Sequence, residues 1–284
     1  MKIYNQKTVI SPDIQVLKSQ QHTIGLVPTM GALHHGHLAL VKKALHDNNY
    51  VVVSIFVNPT QFDNTNDLSK YPRTLNNDVE LLKTLNENNR ILVYAPSVDD
   101  IYEGDIISQD YKFGGIEFEM EGRFRKGHFD GVGTIVKRLF DILKPDKAYF
   151  GKKDFQQLQI VKALVRNYDM PVNIVGCEIH RESDGLAMSS RNARLTEEYR
   201  QAAPFIYKTL KTAKAKFGTE SANKITEWVE NQFAKHDLLK LEYFIIADIE
   251  TLKPVKRKSN KKSYRAFIAV YADDIRLIDN IALN

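Results

Sequence analysis

Apolar positions along this chain fall into blocks whose period changes. Ile24 to Val27 is a short apolar run. Leu38, Leu40, Val41, Ala44 and Leu45 then recur at helical spacing. Tyr50-Val-Val-Val-Ser-Ile-Phe-Val57 is almost continuously apolar and is stopped by Asn58-Pro59. A strand without alternation is expected where both faces are covered, as in a parallel sheet. The rhythm continues with a helix over 78–87, a strand over 91–95 and a helix over 131–143. A short strand over 148–150 ends at Gly151, followed by a helix over 155–166 and a strand over 172–177. Strands alternating with helices predict a parallel α/β sheet with right-handed crossovers. Ligands in such sheets bind at the carboxyl ends of strands, so His34, Asn58 and Gly151 are expected to converge on one crevice.

The segment from Pro96 to Asp130 breaks this rhythm, being irregular and rich in glycine and charge, as functional loops often are. After Arg181 the pattern changes again. Two helices, over 197–217 and 221–235, precede strands over 243–247 and 264–271, which reads as a small α+β domain. The expected division is 1–179 and 180–284. No internal repeat or low-complexity segment is present.

Composition narrows the class. Of 284 residues, 43% are hydrophobic and 26% charged, the balance of a soluble globular protein. No apolar run reaches the roughly 18 residues of a membrane span, and the first residues lack the apolar core of a signal peptide. The single cysteine, Cys177, excludes an internal disulfide and fits a reducing, cytoplasmic setting. The net charge of +5 is partly local, with seven basic residues from Lys253 to Arg265. Such a run can bind RNA; without interleaved aromatics it reads better as a solvated loop between strands, and no nucleic-acid or membrane partner is expected.

Five short stretches carry chemistry. In Met30-Gly-Ala-Leu-His-His-Gly-His37 a strand feeds a helix start, where backbone N–H groups bind phosphate. His34 and His37 share one face of the first turn, Gly36 admits close approach of a ligand, and His35 points elsewhere. Asn58 and Gln61 sit just past a strand end, where amides can orient a small substrate, although Asn-Pro is also an ordinary turn. Arg123 and Arg125 precede a helix and can reach a carboxylate or phosphate, or can be a solvated turn. In Gly151-Lys-Lys-Asp154 a lysine can neutralise phosphate, while Asp154 can cap the next helix, bind ribose or approach a metal ion. Asp184-Gly-Leu-Ala-Met-Ser-Ser-Arg-Asn192 can clamp phosphate or serve as a mobile linker.

Together and in this order these stretches resemble the pantothenate synthetase (pantoate–β-alanine ligase) family. The similarity runs over nearly the whole chain, to Arg276-Leu-Ile-Asp-Asn280, and includes Tyr71-Pro-Arg-Thr74. His-x-Gly-His alone would place the chain only among nucleotidyltransferases, one of which could transfer AMP to another acceptor. The resemblance implies a Rossmann-like domain over 1–179 that binds ATP and pantoate, a small α+β lid over 180–284, and a cytoplasmic homodimer. It implies ATP and Mg²⁺, a pantoyl adenylate, attack by the amine of β-alanine, and release of AMP and pyrophosphate. By family position, Met30, Gly31, Ala32, Leu33, His34, His35, Gly36 and His37 hold ATP, with Gly151, Lys152, Lys153 and Asp154. His180, Met188, Ser189, Ser190 and Arg191 complete that set. His34, His37, Lys153 and Arg191 are the expected catalytic residues. Asn58, Gln61, Gln157, Arg125 and Tyr71 are expected at the substrate, and Asp78 on the metal side. Three positions depart from the family's usual pattern. Lys152 replaces a common glutamate and adds charge beside Lys153, Lys126 replaces a frequent proline, and His180 replaces an apolar residue near adenine.

Overall fold

A computed structural model describes residues 1–62 and 65–284. The first body is a six-stranded parallel sheet of β1 (Lys2–Tyr4), β2 (Ile24–Thr29), β3 (Tyr50–Ile55), β4 (Ile91–Tyr94), β5 (Lys147–Gly151) and β6 (Asn173–Cys177). Their spatial order is β1-β4-β3-β2-β5-β6. From β2 the chain winds through β3 to β4, then returns across the sheet to β5 and β6. Winding therefore reverses between β2 and β5, and the carboxyl ends of those two strands flank the switch point where such sheets bind ligands. Val51, Val52 and Val53 are all fully buried, as expected of a strand covered on both faces.

The second body is a three-stranded antiparallel sheet, β7 (Leu239–Asp248), β8 (Tyr264–Ala272) and β9 (Ile275–Ala282), in that order. Ala266, Ile268 and Val270 of β8 pack with the apolar sides of the helices Phe205–Phe217 and Ala222–Phe233. Contacts divide the chain into Met1–Lys152 with Gln157–Glu178, and Lys153–Gln156 with Ile179–Asn284. The four residues Lys153–Gln156 thus join the second body, which a single boundary at 179/180 does not provide for. Their anchor is the other face of the small sheet. The Phe155 ring lies 5.9 Å from Phe267, and the Arg265 guanidinium stacks 4.4 Å above it.

Some elements left no readable pattern. β1 has three residues, and the helix Lys7–Ser19 contains Pro12 while leaving Val9 and Val16 exposed. β9 hides Asp279 and Asn280 inside, so its alternation looks broken. The predicted helix over 197–217 is two helices, Glu197–Ala202 and Phe205–Phe217, separated at Pro204, which lacks the N–H a continuous helix needs. The irregular stretch 96–130 contains the short helices Val98–Tyr102 and Glu121–Phe124.

One polar knot ties the end of the helix His35–Asp47 to β5. The Tyr149 hydroxyl, on a fully buried side chain, donates to Asp47 Oδ2 at 3.1 Å and accepts from Asn48 Nδ2 at 2.8 Å. Hydrogen bonds from Lys43, then His46, hold the Asp47 carboxyl well below the usual carboxylate range. A carboxylate depressed in the folded state adds stability that is complete above its unfolded value of 3.8 and is lost as pH falls through the lower folded value. Asp47→Asn should therefore flatten the acid limb of a pH–stability curve measured by urea unfolding. Tyr149→Phe should lower stability at neutral pH by about 1 kcal/mol, the usual worth of a buried hydrogen bond.

Candidate active site

After β2 the backbone makes a turn that only a few residue types tolerate. Gly31 has φ +84°, and a Cβ there would lie 3.1 Å from Asp78 Oδ2 and 3.3 Å from Ile55. Glycine is required on both counts. Ala32 also takes a positive φ, of 49°. The turn is held from outside by Asp78, on the helix Leu75–Lys83. Its Oδ2 accepts from Ala32 N at 3.1 Å, and its Oδ1 accepts from Leu33 N at 2.7 Å and Thr74 Oγ1 at 3.2 Å. Asp78 is 2% exposed. The carboxylate expected on the metal side is thus the anchor of the loop. Among the described residues, no group of three or more His, Cys, Asp or Glu side chains is placed to hold a metal ion.

The loop delivers the chain into the helix His35–Asp47 through an unusual cap. His34 Nδ1 accepts from Gly36 N at 3.1 Å, and His37 Nδ1 accepts from His34 N at 3.3 Å. The pair does with imidazoles what a serine and a glutamate do in a capping box. Because both Nδ1 atoms accept, the neutral rings carry their proton on Nε2, a tautomer assigned from these bonds. The rings lie side by side with centroids 4.1 Å apart and planes tilted by 40°, on a shared face, whereas His35 is exposed.

A second polar cluster follows β3. Asn58 is 1% exposed, and its amide donates to Gln61 Oε1 at 3.2 Å and Gly131 O at 3.1 Å. Its Oδ1 accepts from Tyr102 at 2.5 Å and Thr60 at 3.2 Å. Burial pushes the Tyr102 hydroxyl pKa up, which keeps it a donor at neutral pH. Asn58 therefore lies beneath Gln61 and orients it. Gln61 Nε2 donates to Met30 Sδ at 3.2 Å, linking this cluster to the β2 loop. The backbone carbonyl of Gln61 accepts from His128 Nδ1 at 2.8 Å and Arg125 Nη2 at 3.2 Å. Arg125 also lies 3.2 Å from His128 Nε2. Sequence reasoning missed Tyr102, His128 and Gly131. A Cβ on Gly131 would come within 2.4 Å of Thr60 O, so that glycine lets the helix His128–Leu143 press against the Gln61 turn. Tyr71 is 7% exposed and meets Phe62 edge-on at 5.8 Å.

At the end of β5, Lys152 pairs with Glu178, so its charge is compensated locally and does not simply add to that of Lys153. Gln157 is half-buried in the helix that follows. In the second body, Lys153 has a 19% exposed side chain 3.6 Å from Asp154. The loop Asp184–Asn192 is braced: Arg200 binds Glu182 at 2.7 Å and Asp184 at 2.6 Å, and Asn192 donates to Ala187 O at 3.1 Å. Met188 N bonds His180 O at 3.0 Å, and Ser189 Oγ accepts from Arg191 N at 3.2 Å. Ser190 and Arg191 begin the turn Ser190–Arg194. The His180 side chain is exposed. The basic run is partly structural, since Lys258 holds the carbonyls of Phe217 and Glu220 and Lys262 pairs with Asp248 at 2.9 Å.

The comparisons agree with one another. A family model described as pantoate-beta-alanine ligase matches residues 2–282. A pantothenate synthetase of Christiangramia forsetii is 58% identical over 284 residues, covering 100% of both chains. The crystal structure of pantothenate synthetase from Thermus thermophilus superposes with a TM-score of 0.89 at 36% identity, covering 100% of this chain and 99% of that one. A pantoate-beta-alanine ligase from Francisella tularensis, complexed with beta-gamma ATP and beta-alanine, gives 0.80 at 35% identity over 100% and 98%.

If Asp78 anchors the loop, Asp78→Asn turns an amide NH₂ toward a backbone N–H and leaves one donor unpaired. Stability should fall by about 1–3 kcal/mol in urea unfolding. Amide exchange at Ala32 and Leu33 should accelerate while that of the β3 core does not.

Proposed function

The chain belongs to the pantoate–β-alanine ligase family, and from that premise we propose that its residues carry out an ATP-dependent ligation in two steps. A pantoate carboxylate oxygen attacks the α-phosphorus of ATP, and the bond to the bridging oxygen breaks to release pyrophosphate. The amine of β-alanine then attacks the acyl carbon of pantoyl adenylate, losing a proton as AMP departs and pantothenate forms. No protein nucleophile is required, so positioning and charge neutralisation supply the rate.

The observation that carries this reading is the imidazole cap at the β2 switch point. With Nδ1 of His34 and His37 tied to backbone N–H groups, Nε2–H of each ring is the donor that can serve phosphate oxygens, beside the positive end of a helix. His37 is assigned the proton-donating role, with Lys153 and Arg191 as the compensating cations. Met30 to Leu33, Gly36, Gly151, Asp154 and Met188 to Ser190 line ATP; Lys152, His35 and His180 stand at its margin. Gln61 and Gln157 hold pantoate. Arg125 and Tyr71 support the substrate end, and Asn58 acts through Gln61. Mg²⁺ fits as an ion delivered with the ATP phosphates, since such ions keep their waters and phosphate oxygens in place of a protein cage. The enzyme is read as a cytoplasmic homodimer on the strength of its family; among the described residues, no helix is long and apolar enough to cross a membrane.

Isotope exchange between pyrophosphate and ATP should require pantoate and proceed without β-alanine, and the complete reaction should yield AMP. Exchange that is indifferent to pantoate would favour transfer of AMP to another acceptor. His37→Ala and Lys153→Ala should each lower turnover by about 10²–10³-fold, the usual effect of deleting a donor to developing charge. Their circular-dichroism melting curves should stay close to wild type; turnover near wild type in either variant contradicts the role assigned to that residue.

A further inference from the structure

The segment Arg276-Leu-Ile-Asp-Asn280 is part of the family likeness but has no place in the chemistry above. It forms the middle of β9, and its last two residues are almost fully buried, Asp279 at 5% and Asn280 at 1% exposure. A buried strand position normally takes an apolar residue, so two adjacent polar ones need partners. They have them on both sides. The Asn280 amide donates through Nδ2 to the backbone carbonyl of Lys153 at 2.7 Å, while its Oδ1 accepts from Arg265 Nη1. Asp279 receives both arms of the Arg181 guanidinium, at 2.6 and 2.9 Å. Arg181 also donates to Gly185 O at 3.1 Å and stacks 3.7 Å over Tyr207.

Each partner leads to a phosphate-directed segment. Lys153 is itself one. Arg181 forms a bridge pair with Ala187, immediately before Met188–Arg191. Two neighbouring residues on one strand therefore fix the Lys153 turn and the root of the Met188–Arg191 loop against a common support. The residue type at 280 fits the task. A carbonyl on one side and a guanidinium on the other call for one donor and one acceptor in a short planar group, which a carboxamide supplies. A carboxylate could still accept from Arg265 but would turn lone pairs toward the Lys153 carbonyl.

We propose that Asn280 is a positioning residue of the adenylation step: it holds the Lys153 backbone so that the ammonium group stands in register with the Met188–Arg191 loop. This rests on the phosphate role proposed for Lys153, and the test separates the two. Asn280→Asp, Asn280→Ala, Lys153→Ala and the doubles Lys153→Ala/Asn280→Asp and Lys153→Ala/Asn280→Ala are assayed in the full chain by pantoate-dependent pyrophosphate exchange, with thermal melts alongside. Both Asn280 variants should lose roughly 10–100-fold in kcat, as small misplacements do, with KM for pantoate unchanged. In the Lys153→Ala background the same changes should cost less than about twofold, because residues acting as a unit are not additive. Asn280 variants at wild-type rate beside a crippled Lys153→Ala overturn the positioning role and leave that of Lys153 standing. Losses that multiply in the doubles, or a raised KM for pantoate, overturn it as well. An unimpaired Lys153→Ala removes both.

Discussion

A parallel sheet covered on both faces has only its strand ends to offer to a polar ligand, and the rest of this molecule is organised by that constraint. The interiors of β2, β3 and β5 are closed to water, so polar chemistry collects where they stop. The most exacting of these ends is that of β2. A left-handed turn, a helix start and two imidazoles are compressed there into eight residues, Met30–His37. A turn this tight does not stand alone. It is stitched by a carboxylate from a helix 45 residues away and touched by a glutamine from the end of β3. That glutamine rests on Asn58, Tyr102 and the carbonyl-binding pair Arg125 and His128. The groups best suited to contact a ligand are few, and most of the conspicuous polar residues work beneath them.

That layering explains what could be read from the chain. The β3 run, the helix start after β2 and the glycine closing β5 leave local signals, because period and capping chemistry act over a few residues. The histidine pair at the helix start was legible for the same reason. What its Nδ1 atoms do was not, since capping by imidazole looks in sequence like a plain helix start. The loop-anchoring bonds of Asp78 were not legible, because a carboxylate that holds a distant backbone and one that faces a metal are the same letter. Gly131 and Tyr102 act across the fold through contacts that no local pattern encodes. β9 was missed because burying Asp279 and Asn280 violates the alternation by which a half-buried strand is recognised.

The family departures resolve unevenly. Lys152 finds an acidic neighbour in Glu178, which compensates its charge locally. His180 contributes through its backbone carbonyl, to which its side chain is indifferent. For Lys126, exposed beside Gly127 with φ +76°, the structure offers no special account.

The attachment of Lys153–Gln156 to the second body also bears on how the protein is made. The chain emerges from the ribosome in order, and domains tend to fold as they emerge. Yet the carbonyl of Lys153 meets its partner on a residue 127 positions later. The parallel sheet can close once β6 has appeared, while Lys153 waits for the last strand of the molecule. A nascent chain can thus complete its larger body while the Lys153 ammonium is still unplaced. The late arrival of β9 sets the moment at which that cation's surroundings become complete.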